Sequence, residues 1–177
     1  LERIGMLETI RMYSAVKRHS LDNERDIAES HANYYYTFAT SRSSEIEGKD
    51  QPAVLDEIET EIENINSAFR VLQSADRFRF AIMVADLWRF YRFRGRYREA
   101  RDQIEIALSN VSTPDPRVRA RLYLADGVLL RCIGENEASM TSLQKGLYVA
   151  HKRNYTGILA ELSYELGWTF LYLNRLK

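Results

Sequence analysis

The stretch Arg77-Phe78-Arg79-Phe80-Ala81-Ile82-Met83-Val84-Ala85-Asp86-Leu87-Trp88-Arg89-Phe90-Tyr91-Arg92-Phe93-Arg94-Gly95 decides the fold. Phe78, Phe80, Ile82, Val84, Leu87, Trp88 and Tyr91 lie at spacings that place apolar groups nearly all round one helix over residues 77–94. Such a helix must be covered on several sides, so it sits centrally, and Gly95 stops it. Working outward, the spacing predicts a helix over 96–110 carrying Tyr97, Ala100, Ile104, Ala107 and Leu108. Ser112-Thr113-Pro114-Asp115-Pro116 follows as a loop, with Asp115 as N-cap and Pro116 at the first helical position. Helices over 117–133, 136–152 and 156–173 come next, separated by Gly134 and by Arg153-Asn154.

On the other side, residues 52–73 carry one apolar stripe of Val54, Leu55, Ile58, Ile62, Ile65, Phe69 and Leu72 opposite Asp56, Glu57, Glu59, Glu61 and Glu63. Gly48 and Pro52 punctuate the turn before it. The preceding helix covers 23–45 with Tyr34, Tyr35, Phe38 and Ala39 inward, and a shorter one covers 4–18. No segment shows the two-residue alternation of a half-buried strand. Short connections between consecutive helices force antiparallel neighbours. The expected fold class is therefore all-α, a chain of helical hairpins.

Composition narrows the function classes. With 8 Gly and 3 Pro in 177 residues and 45% hydrophobic content, collagen-like, linker-like and disordered classes are excluded. Lys plus Arg and Asp plus Glu are both 25, so no global field draws the chain to nucleic acid or to a membrane. The apolar runs fall far short of a membrane span. A single cysteine, Cys132, cannot close an internal disulfide and fits a reducing, cytoplasmic compartment. The chain opens on Leu1-Glu2-Arg3 and stops at Lys177 just after a helical stretch, which reads as a piece of something larger.

The helix-ending residues Gly95, Gly134 and Asn174 are 39 and 40 residues apart, and their flanks superimpose. Val84, Leu87, Trp88 and Tyr91 precede Gly95, with Tyr97, Ala100, Ile104 and Ala107 after it. Tyr123, Asp126, Gly127 and Leu130 precede Gly134, with Ser139, Leu143 and Gly146 after it. Ser163, Leu166, Gly167 and Phe170 precede Asn174. Small residues (Gly127, Gly167, Ala100, Ser139, Ala107, Gly146) fall where two helices would cross closely. The pattern resembles the tetratricopeptide repeat, W-x2-L-G-x2-Y followed by A-x3-F, stretched to about 40 residues. Asp126 departs from it by replacing an apolar residue. The resemblance implies a right-handed α-solenoid. Residues 1–75 are then an N-terminal helical extension and 76–177 the repeats, at 76–113, 114–153 and a truncated 154–177.

A second resemblance rests on four segments in order: Met6-Leu7-Glu8-Thr9-Ile10-Arg11-Met12-Tyr13, His31-Ala32-Asn33-Tyr34-Tyr35, Glu59-Thr60-Glu61-Ile62-Glu63-Asn64 ahead of Ala68-Phe69, and the stretch from Leu87 to Tyr97. Together they resemble the region after the nucleotide-binding and winged-helix domains of bacterial STAND-type regulatory ATPases. It implies that the segment from Leu7 to Tyr13 leaves a winged-helix module and that the rest is helical arm and sensor. Parents of this type meet ATP, and often DNA, through other domains. This chain has no G-x-x-x-x-G-K-[ST] and only scattered glycines, so it holds no phosphate loop of that kind.

The search for chemistry yields no enzyme, cofactor or metal expectation. His19, His31 and His151 lack metal-ligand spacing, and Cys132 has no base beside it and reads as a half-buried structural thiol. From Glu45 to Glu63 eight acidic residues face one lysine, a net of −7 that reads as a solvated face. From Arg77 to Arg101 eight arginines face Asp86 and Glu99, a net of +6 with aromatics interleaved. That run suits a nucleic-acid-binding helical module. The alternative is that these arginines pair with the acidic helix just before them.

The expected function is non-enzymatic recognition of a protein or peptide partner, or a small signal ligand, in a concave groove. A purely structural arm for oligomer assembly is a third possibility. In the tetratricopeptide arrangement the first helix of each hairpin lines that groove. The stripe beside the packed one gives Ala85, Arg89 and Arg92, then Arg121, Leu124, Val128 and Arg131, then Glu161, Tyr164, Trp168 and Tyr172. The candidate binding residues are Arg89, Arg92, Arg121, Arg131, Tyr164 and Trp168. They suit an extended acidic or phosphorylated ligand with an apolar anchor.

Overall fold

Fully buried Phe80, Met83, Leu87 and Phe90 form the spine of the protein, all on the helix that the opening stretch predicts. The computed structural model describes residues 24–109 and 115–175; the expected helix over 4–18 and His19 lie outside them. Among the described residues the backbone is helical with no strand. The order is α1 (Glu24–Ser43), α2 (Gln51–Thr60), α3 (Ile62–Ala75), α4 (Arg77–Phe93), α5 (Tyr97–Ser109), α6 (Pro116–Cys132), α7 (Asn136–Lys152) and α8 (Thr156–Arg175).

The packing repeats along the chain. Helix α1 packs on α3, α4 on α5, and α6 on α7; each second helix then packs on the next first helix, α3 on α4, α5 on α6 and α7 on α8. The first helices also touch in sequence, α1 with α4, α4 with α6 and α6 with α8. Helix α4 thus meets α1, α3, α5 and α6, the many-sided cover its composition requires. Trp88 and Tyr91 are each only 3% exposed. Phe78 and Phe93, at its two ends, remain exposed.

Hairpin turns share one chemistry. Gly95 and Gly134 take φ of 72° and 86°, and Asn154 takes 54°. In each turn the next N–H reaches back five residues: Arg96 to Tyr91 O, Glu135 to Leu130 O and Tyr155 to Ala150 O, at 2.9–3.0 Å. These bonds satisfy carbonyls left over at the helix end, and the left-handed residue they require is where glycine costs least. Asn174 does not play this part. It lies inside α8, and the third left-handed helix-ending residue is Asn154, at the close of α7. Helix starts follow the sequence closely, since Asp115 accepts from the Arg117 N–H at 2.7 Å with Pro116 in the first turn. Asp76 caps α4 in the same way through the Arg79 N–H at 3.0 Å.

The helix expected over 52–73 is two helices, interrupted at Glu61 (φ −101°, ψ 7°). The Glu61 N–H bonds Ile58 O at 3.1 Å, a tightened i to i−3 turn. Its carboxylate accepts from Tyr35 Oη at 2.8 Å and Asn64 Nδ2 at 2.7 Å. The apolar stripe continues across the break, with Ile58, Ile62 and Ile65 all buried. Tyr34, expected inward, is 64% exposed. Ala39, expected inward, is buried and forms with Ala32 the buried line of α1, and small side chains there let the helix approach its neighbours. Cys132 is exposed at the end of α6 rather than half-buried.

Glycines make the closest crossings. A Cβ on Gly127 would stand 2.5 Å from Leu143 Cγ, and one on Gly146 would stand 2.8 Å from Leu162 Cδ2. Ser139 Oγ donates to Gly127 O at 2.7 Å across the same contact. Asp126 fits here because it accepts from Ser142 Oγ at 2.6 Å and faces Arg101 at 3.4 Å. Gly167 meets nothing within 4 Å.

Candidate functional site

Helices α4, α6 and α8, which touch one another in series, bring most of the candidate residues to one side. Two adjoining clefts share Trp88, Arg89, Leu124 and Glu161. The larger, of about 510 Å³, adds Arg117 and Arg121 from α6 and residues 154–158 at the start of α8. The smaller, of about 280 Å³, adds Glu47, Arg92, Tyr164 and Glu165. Ala85 and Val128, expected on the groove stripe, are fully buried instead. The close approach of successive first helices takes them into the core.

Arg89 stands at the centre. Its guanidinium lies 4.5 Å from the Trp88 ring centroid and pairs with Glu47 at 3.0 Å and Glu161 at 2.8 Å. Arg121 Nη2 donates to Ala85 O at 2.9 Å and to Asp86 Oδ1 at 2.5 Å. Burial raises the Asp86 carboxyl above its ordinary range, and the Arg121 charge opposes that shift. Arg131 pairs with Glu165, both largely buried, and its guanidinium lies 5.8 Å from the Tyr172 ring. Arg92 lines the smaller cleft with no ion-pair partner among the described residues.

The aromatic end is open. Tyr164 and Trp168, 63% and 40% exposed, meet edge to face at 6.3 Å. Phe170, Leu171 and Tyr172 of the same helix are also exposed. The arginine end differs from a bare cationic wall, because Glu47, Asp86 and Glu165 each neutralise one of its members. Sequence reasoning missed these three partners. Arg121 and Asp86 are 35 residues apart and Arg131 and Glu165 are 34 apart, far outside the i, i+4 reach that makes a pair visible along one helix.

The basic run from Arg77 to Arg101 is largely paired. Arg94 meets Asp56 and, at 3.6 Å, Glu59; Arg96 meets Glu59 at 2.5 Å. Arg79 pairs with Asp76 at 2.7 Å and Arg101 with Glu105 at 2.9 Å. The −7 and +6 segments therefore face each other through α2 and the end of α4. Among the described residues no group of three or more His, Cys, Asp or Glu is placed to hold a metal, and no helix is long and apolar enough to cross a membrane. No family model, curated protein or solved structure matches the chain.

Proposed function

We propose that this chain is a right-handed α-solenoid of tetratricopeptide-like hairpins whose concave face recognises a protein or peptide partner. The supporting observation is the groove itself, built in series by α4, α6 and α8 and ending in the exposed Tyr164 and Trp168 pair. Hairpins stacked in this way leave the first helices lining one continuous surface. Exposed aromatic anchors beside paired, rigidly held arginines are the features that supply binding energy in protein interfaces. The role is non-enzymatic, as the cytoplasmic sensor region of a larger bacterial STAND-type signalling ATPase or transcriptional regulator. ATP and DNA would engage other domains of that parent.

The pairing of Arg94 and Arg96 with Asp56 and Glu59 weighs against the nucleic-acid reading, since those charges are already neutralised within the chain. Selection of a displayed random-peptide library on the intact chain tests the proposal. Selected peptides should carry an apolar or aromatic residue and lose about tenfold or more in affinity for a Tyr164→Ala, Trp168→Ala double variant. Peptides that bind the double variant as well as the parent chain would place recognition elsewhere.

A further inference from the structure

The larger cleft has a charge distribution that the peptide groove does not need. Arg117 and Arg121 sit one helical turn apart on the same face of α6, and Arg89 approaches from α4. Among the described residues Glu161 is the single carboxylate lining the cleft, and Arg89 already holds it. Arg117 is exposed and has no ion-pair partner among the described residues. Both bonds of Arg121, to Ala85 O and Asp86, leave from Nη2, so Nε and Nη1 keep their hydrogens for another acceptor. Asp86 lies behind Arg121, outside the cleft lining, and fixes the guanidinium without filling the space in front of it. Tyr155 and Ile158 supply partly apolar surface in the same cleft.

We propose that this cleft binds a small phosphomonoester, its phosphate clasped by Arg117 and Arg121 and its organic body lying against Tyr155 and Ile158. Two guanidinium forks offer more N–H donors than one carboxylate has oxygens to accept, and a phosphate supplies the further oxygens. Arg117 keeps the positive charge that Asp86 offsets at Arg121. A volume of about 510 Å³ is that of a pocket for a whole small molecule rather than a bare ion. The site stands independently of what the Tyr164 and Trp168 end of the groove recognises.

Calorimetry on the intact chain tests it, with phenyl phosphate, inorganic phosphate and benzoate as probes. Phenyl phosphate should bind saturably, and about tenfold or more tighter than either of the others. Arg117→Gln removes one fork at an exposed position. Gly157→Leu keeps every arginine and grows into open space, since Gly157 lines the cleft and meets nothing within 4 Å. With helicity by circular dichroism unchanged, each variant should weaken phenyl phosphate by about tenfold. No saturable binding at millimolar phenyl phosphate, equal binding of benzoate, or binding that survives either variant would overturn the site.

Discussion

Trp88 carries two duties, packing in the core and supporting the Arg89 guanidinium, and both depend on its large indole surface. Trp88→Ala should cost about 3–5 kcal/mol in a urea titration, the range for truncating a large buried aromatic. A loss below about 1 kcal/mol would contradict its place between hairpins. Asp86 gives a pH signature. Its native carboxyl lies above the ordinary Asp value of about 3.9, so the native state binds more protons than the unfolded chain in the window above that value. Its contribution should therefore weaken stability as pH rises from about 3.9 through the raised native value. Asp76 slopes the other way. The Arg79 N–H and then its guanidinium hold that carboxyl low, so its stabilisation is lost as pH falls through the lowered native value. Comparing urea midpoints of the parent chain and Asp86→Asn across this range cancels Asp76 and should leave the Asp86 slope. A pH-independent difference would contradict that assignment. Trp88 was legible because large apolar groups surround its helix. Tyr34 was misread because Ala32, whose small side chain lets α1 pack closely, carries little hydrophobic signal.

At the scale of helices, the same residue type gives opposite outcomes in α6 and α8. Gly127→Ala must push Leu143 aside and should destabilise by about 1–3 kcal/mol, as overpacking does. Gly167→Ala meets open space and removes a helix-interior glycine, so it should stabilise by about 0.5–1 kcal/mol. Thermal unfolding of the two variants beside the parent chain checks both signs, and equal effects would show the two helices to be packed alike. The 39-residue spacing of Gly95 and Gly134 made two hairpin turns readable. Asn174 shares the spacing but lies within α8, because the spacing alone does not say where a helix stops. The interruption at Glu61 left no trace in the apolar stripe, since the acceptor it offers Tyr35 lies 26 residues away from that hydroxyl.

At the scale of the whole molecule, the acidic and basic runs meet where Asp56 and Glu59 of α2 face Arg94 and Arg96 after α4. Glu59→Lys would place a third cation beside Arg94 and Arg96, whereas Glu63 is solvent-exposed and has no ion-pair partner among the described residues. Glu59→Lys should therefore cost roughly 1 kcal/mol more than Glu63→Lys, with the gap narrowing in high salt. Equal costs at low salt would show that these pairs contribute nothing to stability. Charge complementarity was legible as two opposed runs. The groove arginines' partners were not, because they depend on which helices the fold places side by side.

Arg89 joins Glu47, in the turn after α1, to Glu161 on α8, so one side chain fastens the two ends of the described structure across its middle. Any change in the distance between the turn after α1 and α8 must therefore be felt at a single guanidinium, the one that also lines both clefts.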